Sequence, residues 1–253
     1  MIATLALSMV VTFAPQAPEV QAQQPTAKEV FQEMLSRYHA AKSVSGTVVF
    51  EQAATSGSGE KRVVITTRLA VSKPKKFFIE QSRSPRDDVM PNSFAAVSDG
   101  KKLGYTVPKG LLPGDPPKLY EAVPDYSGVS EGMDAFASLL LDRSFPIAVA
   151  FYNEYEMRLL TQEVASLTLL EDRTVGEQQA WVIKGDYIRF RRTANRPEVK
   201  IPIYFYVSKS YDLLGVVYEE GLMDGGVQYN ITSRWTVRLQ RDVEIPESTF
   251  TVR

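Results

Sequence analysis

The spacing of apolar and polar residues changes near residue 44. Between residues 27 and 42 apolar side chains recur three and four positions apart, which predicts an amphipathic helix. Thr26 and Glu29 form a capping-box pattern at its start. From Val44 onward apolar and polar residues alternate over short runs, as in β-strands with one buried face. A sheet is therefore the predicted packing partner of the helix.

Strands are predicted over most of the remaining chain. Gly57, Gly59, Gly176, Gly225 and Gly226 mark turns between them. In residues 93–108 an apolar run and an alternating run flank Asp99-Gly100, which predicts a tight hairpin from which the sheet is built outward. The predicted strands are 44–50, 62–71, 76–81, 94–97, 103–107, 118–123, 166–173, 180–184, 201–208, 214–219 and 228–240.

Two apolar segments, residues 132–141 and 146–161, are predicted to be helices. The order helix, strands, apolar helices, strands is typical of an α+β protein with one antiparallel sheet and a few covering helices. The sequence has no long linker, so we expect a single domain over residues 23–253.

Composition removes several classes of function. A net charge of -1 gives no overall field to attract nucleic acid. The absence of cysteine excludes disulfides, thiolate metal sites and a lipid-anchored cysteine. The single histidine, His39, is placed at the end of the first helix, where a positive charge is favourable. We therefore predict no catalytic residue, no metal, no cofactor and no enzymatic activity.

The N-terminal residues predict export. Residues 2–14 form a 13-residue apolar run, and small residues near Ala22 offer a cleavage point, so residues 1–22 are interpreted as a signal peptide. The basic residues that usually precede such a run are missing, and we expect the true start to lie further upstream. The mature protein is then expected to be soluble in the periplasm.

Three segments carry a family resemblance. Residues 68–77 read RLAVSKPKKF, residues 97–108 read VSDGKKLGYTVP, and residues 243–250 read VEIPESTF. In addition, Val175-Gly176-Glu177 precedes Trp181 by a few residues. Together these segments resemble the outer-membrane lipoprotein carrier (LolA/LolB-type) superfamily of periplasmic proteins. The loop 108–117 and the basic insertion 189–200 depart from its pattern, which indicates a divergent branch.

The resemblance implies an unclosed β-barrel, a strongly curved antiparallel sheet with helices over its concave face. Members of the superfamily carry lipoprotein acyl chains or other hydrophobic ligands, and burial of methylene groups supplies the binding energy. In the carrier, an arginine just before the proline helps to hold the lid closed. The matching residue here is Lys73, the candidate lid latch, and because lysine is a point charge without the planar fork of arginine, its latch is expected to be weaker or absent. Phe77 matches an aromatic residue at the cavity rim. The residues expected to line the cavity or its rim are Val49, Leu69, Val71, Phe77, Phe78, Val97, Tyr105, Phe136, Leu140, Phe151 and Ile183.

Two functions remain open at this point. The first is a monomeric, non-enzymatic carrier or binder of an acyl-bearing ligand or lipoprotein in the cell envelope. The second is a protein-interaction or stress-sensing module of the envelope that uses the same fold to bind a protein partner. Which face of each strand points inward is also open, because a shift of one residue exchanges the faces.

Overall fold

One antiparallel sheet dominates the computed structural model, which describes residues 24–88, 91–107, 118–122, 126–153, 164–190 and 198–251. The predicted signal peptide, the loop 108–117 and most of the basic insertion lie outside the described residues. The described helices and strands are α1 (Ala27–Ala40), β1 (Ser43–Ser56), β2 (Gly59–Ser72), β3 (Lys76–Ser84), β4 (Ser93–Asp99), β5 (Leu103–Val107), β6 (Lys118–Ala122), α2 (Val129–Asp134), α3 (Phe145–Phe151), β7 (Val164–Val175), β8 (Gln178–Phe190), β9 (Val199–Ser208), β10 (Leu213–Asp224) and β11 (Val227–Arg241).

The eleven described strands lie in the order β6-β5-β4-β3-β2-β1-β11-β10-β9-β8-β7. The first and last of the described strands, β1 and β11, pair at the centre, and every other pair joins described strands that follow each other in sequence. In the described residues β6 and β7 are the two edges and do not pair with each other, so the barrel stays open. The unclosed half-barrel with helices over its concave face, which the resemblance implies, is therefore the observed architecture.

The predicted hairpin is present, but its predicted place in the sheet is wrong. β4 and β5 pair through Ser98 and Leu103, and Gly100 takes the positive φ of +86° that the turn requires. The Asp99 carboxylate accepts hydrogen bonds from the backbone of Lys101 and Lys102, and these bonds lower its pKa. The hairpin lies near one edge, because the seam between β1 and β11 occupies the centre of the sheet.

The first helix begins as the capping-box pattern predicts. The Thr26 hydroxyl accepts a hydrogen bond from the Glu29 backbone at 3.2 Å, and the Glu29 carboxylate accepts one from the Thr26 backbone at 2.7 Å. The apolar stripe of α1, which includes Phe31 and Met34, is buried against β7, β8 and β9. His39 lies in the last turn of α1, as predicted.

The two later helices are shorter than the sequence predicts. In place of a helix over 132–141, α2 ends at Asp134 and is followed by a 3₁₀ turn, Ala137–Leu139. The Gln81 side chain accepts hydrogen bonds from the backbone of Leu141 and Asp142, which holds the following stretch extended. The helix predicted over 146–161 is observed as α3, which ends before Tyr152 at φ +48°; residues 154–161 lie outside the described part.

The core fills the concave side of the half-barrel. α1 covers β7 to β9, and α3, all of whose residues are buried, contacts β1, β10 and β11. The segment from α2 to α3 is called the lid here. On the opposite, outer face, the 3₁₀ turn Glu247–Phe250 contacts β3 and β4, and Lys76 forms an ion pair with Glu247 at 2.7 Å. Among the described residues, no helix has both the length and the apolar character needed to cross a membrane.

Candidate functional site

The strand alternation divides the predicted cavity residues between the two faces of the sheet. Tyr105 and Leu140 are half-buried and pack against the concave core. The fully buried members of that core are Leu69, Val71, Phe77, Phe136, Phe151 and Ile183.

Three of the predicted cavity residues point the other way. The inward-facing side chains of β1, β3 and β4 include Val48, Phe77 and Ala96, respectively. The next residue in each strand points the opposite way, so the outer face carries Val49, Phe78 and Val97. The sequence places apolar residues on both faces of these strands, and the alternation alone therefore does not select the inward one. Assignment of Val49, Phe78 and Val97 to the concave side is wrong.

The rim position predicted for Phe77 is also wrong. The Phe77 ring is completely buried and lies 5.4 Å from the ring of Phe136 and 5.5 Å from that of Phe151. Gly132 lets the lid approach this ring, since a Cβ there would lie 2.8 Å from Phe77. Phe77 therefore joins the sheet to the lid inside the core.

Lys73 lies where the sheet meets both helices. Its ammonium group donates to the backbone carbonyls of Tyr38 and His39 in the last turn of α1, where a cation is favoured by the helix dipole. The same group lies 5.6 Å from the ring centroid of Tyr152, which follows α3. Partial burial lowers the pKa of Lys73, and the Asp242 carboxylate opposes that shift. Lys73 thus connects the β2–β3 turn to α1 and to the end of the lid.

A row of aromatic side chains crosses the concave face. Phe50 on β1 stacks on Trp235 of β11 at 4.7 Å, Trp235 lies 5.6 Å from Tyr218 of β10, and Tyr218 lies 6.0 Å from Tyr187 of β8. Trp235 is buried, whereas Phe50, Tyr218 and Tyr187 are only partly buried and pack against the core. These four residues form the aromatic row. It presents partly exposed apolar surface that is continuous with the core.

A buried polar cluster lies between the aromatic row and the lid. The Gln81 side chain donates to the Thr67 hydroxyl at 3.0 Å and to the Asp142 carbonyl at 2.9 Å. The Trp235 indole donates to the Asp142 carboxylate at 3.3 Å, and the Ser144 hydroxyl donates to the same carboxylate at 3.1 Å. Through these bonds the sheet holds the start of α3 in place above the aromatic row.

The buried carboxyl of Asp142 has a shifted pKa. Burial raises the pKa of its carboxyl to about 6, and the hydrogen bonds from Trp235 and Ser144 oppose that shift. Because the folded state binds the proton more tightly than the unfolded chain, Asp142 favours folding less as pH rises from about 4 to about 6. Above that range the ionised carboxylate costs about 3 kcal/mol relative to an unperturbed aspartate.

Substituting Asp142 with asparagine is expected to remove this pH dependence. Asparagine is neutral at every pH and keeps an oxygen that accepts from Trp235 and Ser144. Between pH 4.5 and pH 7, we expect the unfolding free energy of Asp142→Asn to rise by about 2 kcal/mol relative to that of the natural protein. Urea denaturation at both pH values measures the difference, with the exposed Asp88→Asn as the control. A difference that stays constant with pH would contradict the raised pKa.

Among the described residues, no three His, Cys, Asp or Glu side chains lie close enough together to hold a metal ion. The ring of His39 lies 4.0 Å from that of Tyr152 at the end of α1. The arrangement presents an apolar, aromatic surface, and hydrophobic binding is the chemistry it supports.

Comparisons with solved structures return matches of low sequence identity. LprF from Mycobacterium bovis matches with a TM-score of 0.41 and 11% identity over 87% of this chain and 95% of that one. A LolA superfamily protein from Nitrosomonas europaea matches with a TM-score of 0.26 and 12% identity over 90% and 99%. The MucA/MucB complex from Pseudomonas aeruginosa matches with a TM-score of 0.36 and 11% identity over 90% of this chain and 61% of the matched chain.

The LolA superfamily is the one that the sequence resembles. No family model matches the chain, and no curated protein matches it significantly. At these identities and TM-scores the solved structures assign neither a ligand nor a site residue to this protein.

Sequence reasoning missed the aromatic row and Asp142. Phe50, Tyr218 and Trp235 lie on three separate strands, and their proximity follows from the non-local pairing of β1 with β11. The sequence does contain one indication of Asp142, because it is an acidic residue directly after the apolar run of residues 135–141. An isolated acidic residue in such a run needs a buried partner or an exposed position, and the sequence does not say which.

Proposed function

We propose that this protein binds an acyl-bearing hydrophobic ligand on the concave face of its half-barrel and carries it in the cell envelope. The observation that supports the proposal is the aromatic row. It leaves three large, partly exposed rings on a face that is otherwise occupied by the core. An acyl chain laid along these rings gains about 0.8 kcal/mol for each methylene group that it buries.

The lid is part of the same proposal. Its connection to the sheet through Asp142 and Trp235 places it beside the aromatic row, so a ligand on the row is positioned to contact the lid. Lys73, which contacts α1 and Tyr152, is the residue we assign to holding the other end of the lid. The export implied by residues 1–22 would deliver the carrier to the periplasm, where acyl chains must cross water between membranes.

Binding of the acyl ligand can be detected directly on the purified protein. Mass spectrometry of the mature protein, purified from its native envelope without detergent, is expected to find a stoichiometric acyl lipid or lipopeptide. The same protein should take up a fluorescent fatty acid. An empty protein that also fails to take up the fatty acid would contradict the proposal and favour an interaction module with a protein partner.

The place of binding is tested by one tyrosine on each face. Tyr218 belongs to the aromatic row, and Tyr204 is a partly buried tyrosine on the outer face of the neighbouring strand β9. Tyr218→Ser is expected to weaken fatty-acid binding about tenfold, because it removes a ring from the apolar surface. Tyr204→Ser should leave binding within about twofold of the natural protein. Equal losses in both variants would place the ligand elsewhere.

A further inference from the structure

Arg83 lies at the same height along the strands as the aromatic row, on the neighbouring half of the sheet. Arg83 is the last inward position of β3, two residues after Gln81. It lies opposite Ile65 of β2, which in turn lies opposite Phe50 of β1. Neighbouring strands are about 4.8 Å apart, so the Cα atoms of Arg83 and Phe50 are separated by about 10 Å.

The Arg83 guanidinium is mostly buried and only partly satisfied. Its side chain is 19% exposed, and one terminal nitrogen, Nη2, lies 3.1 Å from the Asp87 carboxylate. The Nε atom is fully buried, and no described residue accepts a hydrogen bond from it. A buried donor without an acceptor is rare and costly, so the protein's own groups leave this guanidinium incompletely satisfied.

The loop after β3 fixes the arginine and its carboxylate partner. The Arg83 backbone donates to the Asn92 carbonyl at 2.9 Å. The Asn92 side chain accepts from the Asp87 backbone at 2.7 Å and donates to the Asp87 carbonyl at 2.6 Å. The guanidinium is therefore held in place before any ligand arrives, which lowers the entropic cost of binding.

Two arginines on the outer face of the same sheet have a different environment. Arg62 and Arg68 on β2 are more than half exposed and form ion pairs with Glu51 and Glu80 on the outer face. The guanidinium of Arg83 combines burial, inward orientation and a donor without an acceptor. Its planar set of N–H groups matches the oxygens of a carboxylate or phosphate group.

We propose that Arg83 binds the anionic oxygen headgroup of an acyl ligand whose chain lies along the aromatic row. This inference rests on the proposed function, and it narrows the ligand to amphiphiles with a carboxylate or phosphate headgroup. Asp87 pairs with Nη2 and competes with the ligand for the guanidinium, and the headgroup reaches the guanidinium through the 19% of the side chain that is exposed.

Binding of three ligands with the same chain tests the headgroup. Dodecanoate and dodecyl phosphate carry the anion, and dodecanol is their neutral counterpart. We expect the natural protein to bind both anions about tenfold more tightly than dodecanol. In Arg83→Met this preference should fall to within about twofold, with dodecanol binding unchanged. The outer-face variant Arg68→Met is the matched control and should keep the full preference.

A second variant is expected to strengthen the binding of the anionic ligand instead of weakening it. Asp87→Asn removes the competing negative charge and is expected to strengthen dodecanoate binding severalfold without changing dodecanol binding. This gain cannot come from a damaged fold, so it separates a headgroup site from a structural role of the ion pair. Weaker dodecanoate binding in Asp87→Asn would overturn the inference.

The remaining outcomes are also decisive. If the natural protein binds none of the three ligands, the proposed function fails as well. If it binds all three equally, the carrier function stands and the headgroup site is overturned. Excess inorganic phosphate, which has no chain, should not displace dodecanoate. Displacement would assign Arg83 to free phosphate and overturn the acyl ligand at this residue.

Discussion

Replacing Gly46 with alanine is expected to lower the unfolding free energy by about 4 kcal/mol, combining overpacking with backbone strain. Gly46 lies in β1 opposite Leu239 of β11, with φ at +148°. An added Cβ would lie 2.0 Å from the backbone carbonyl oxygen of Arg238, and a backbone atom cannot rotate away as a side chain can. Both the φ value and the close approach of the two strands therefore require glycine here.

The position of Gly46 makes this loss larger than an ordinary strand defect. The β1–β11 seam is the pairing that joins the half of the sheet from β6 to β1 with the half from β11 to β7. If the two strands separate, α3 also loses part of its packing surface, because it contacts both of them. We expect Gly46→Ala to be recovered in low yield or with a much lower unfolding temperature.

Thermal unfolding of Gly46→Ala beside Gly221→Ala checks this prediction. Gly221 also lies in a strand, β10, but its φ is not in the positive region and an added Cβ would meet no atom within 4 Å. Gly221→Ala is expected to be as stable as the natural protein or slightly more stable, since alanine loses less entropy on folding. Similar unfolding temperatures for the two variants would contradict the role of Gly46.

Replacing Gln81 with leucine is expected to cost about 4 kcal/mol of unfolding free energy. The Gln81 amide is completely buried and satisfies the Thr67 hydroxyl, the Asp142 carbonyl and the backbone N–H of Leu141. Leucine has a similar volume but offers no hydrogen bond, so these groups would be left unpaired in the interior. The lid would also lose a connection to the sheet.

The matched control is the same substitution at Gln52. That side chain is only partly buried and donates a hydrogen bond to the Ser233 hydroxyl at 3.2 Å. Gln52→Leu is expected to change the unfolding free energy by about 1 kcal/mol or less. Urea denaturation of both variants provides the comparison. A cost at Gln81 no greater than that at Gln52 would show that the lid does not depend on this amide.

Local patterns in the chain predicted the elements whose signals are local. The capping box at Thr26 and the hairpin at Gly100 are both observed, because their hydrogen bonds join residues within four positions of each other. The lid was predicted less well. Its apolar residues have no single buried stripe, so their periodicity does not show that contacts with Gln81 end the helix and hold Leu141 extended.

By itself, the sequence determined the alternation of the strands, most turns, the first helix and the resemblance to a carrier superfamily, because these depend on spacing and residue type. The tertiary structure alone decided which strand face is concave, since Val49, Phe78 and Val97 are as apolar as their inward neighbours. It also decided the candidate site. Phe50 and Trp235 are 185 positions apart in sequence and become neighbours only when β1 pairs with β11 across the centre of the sheet.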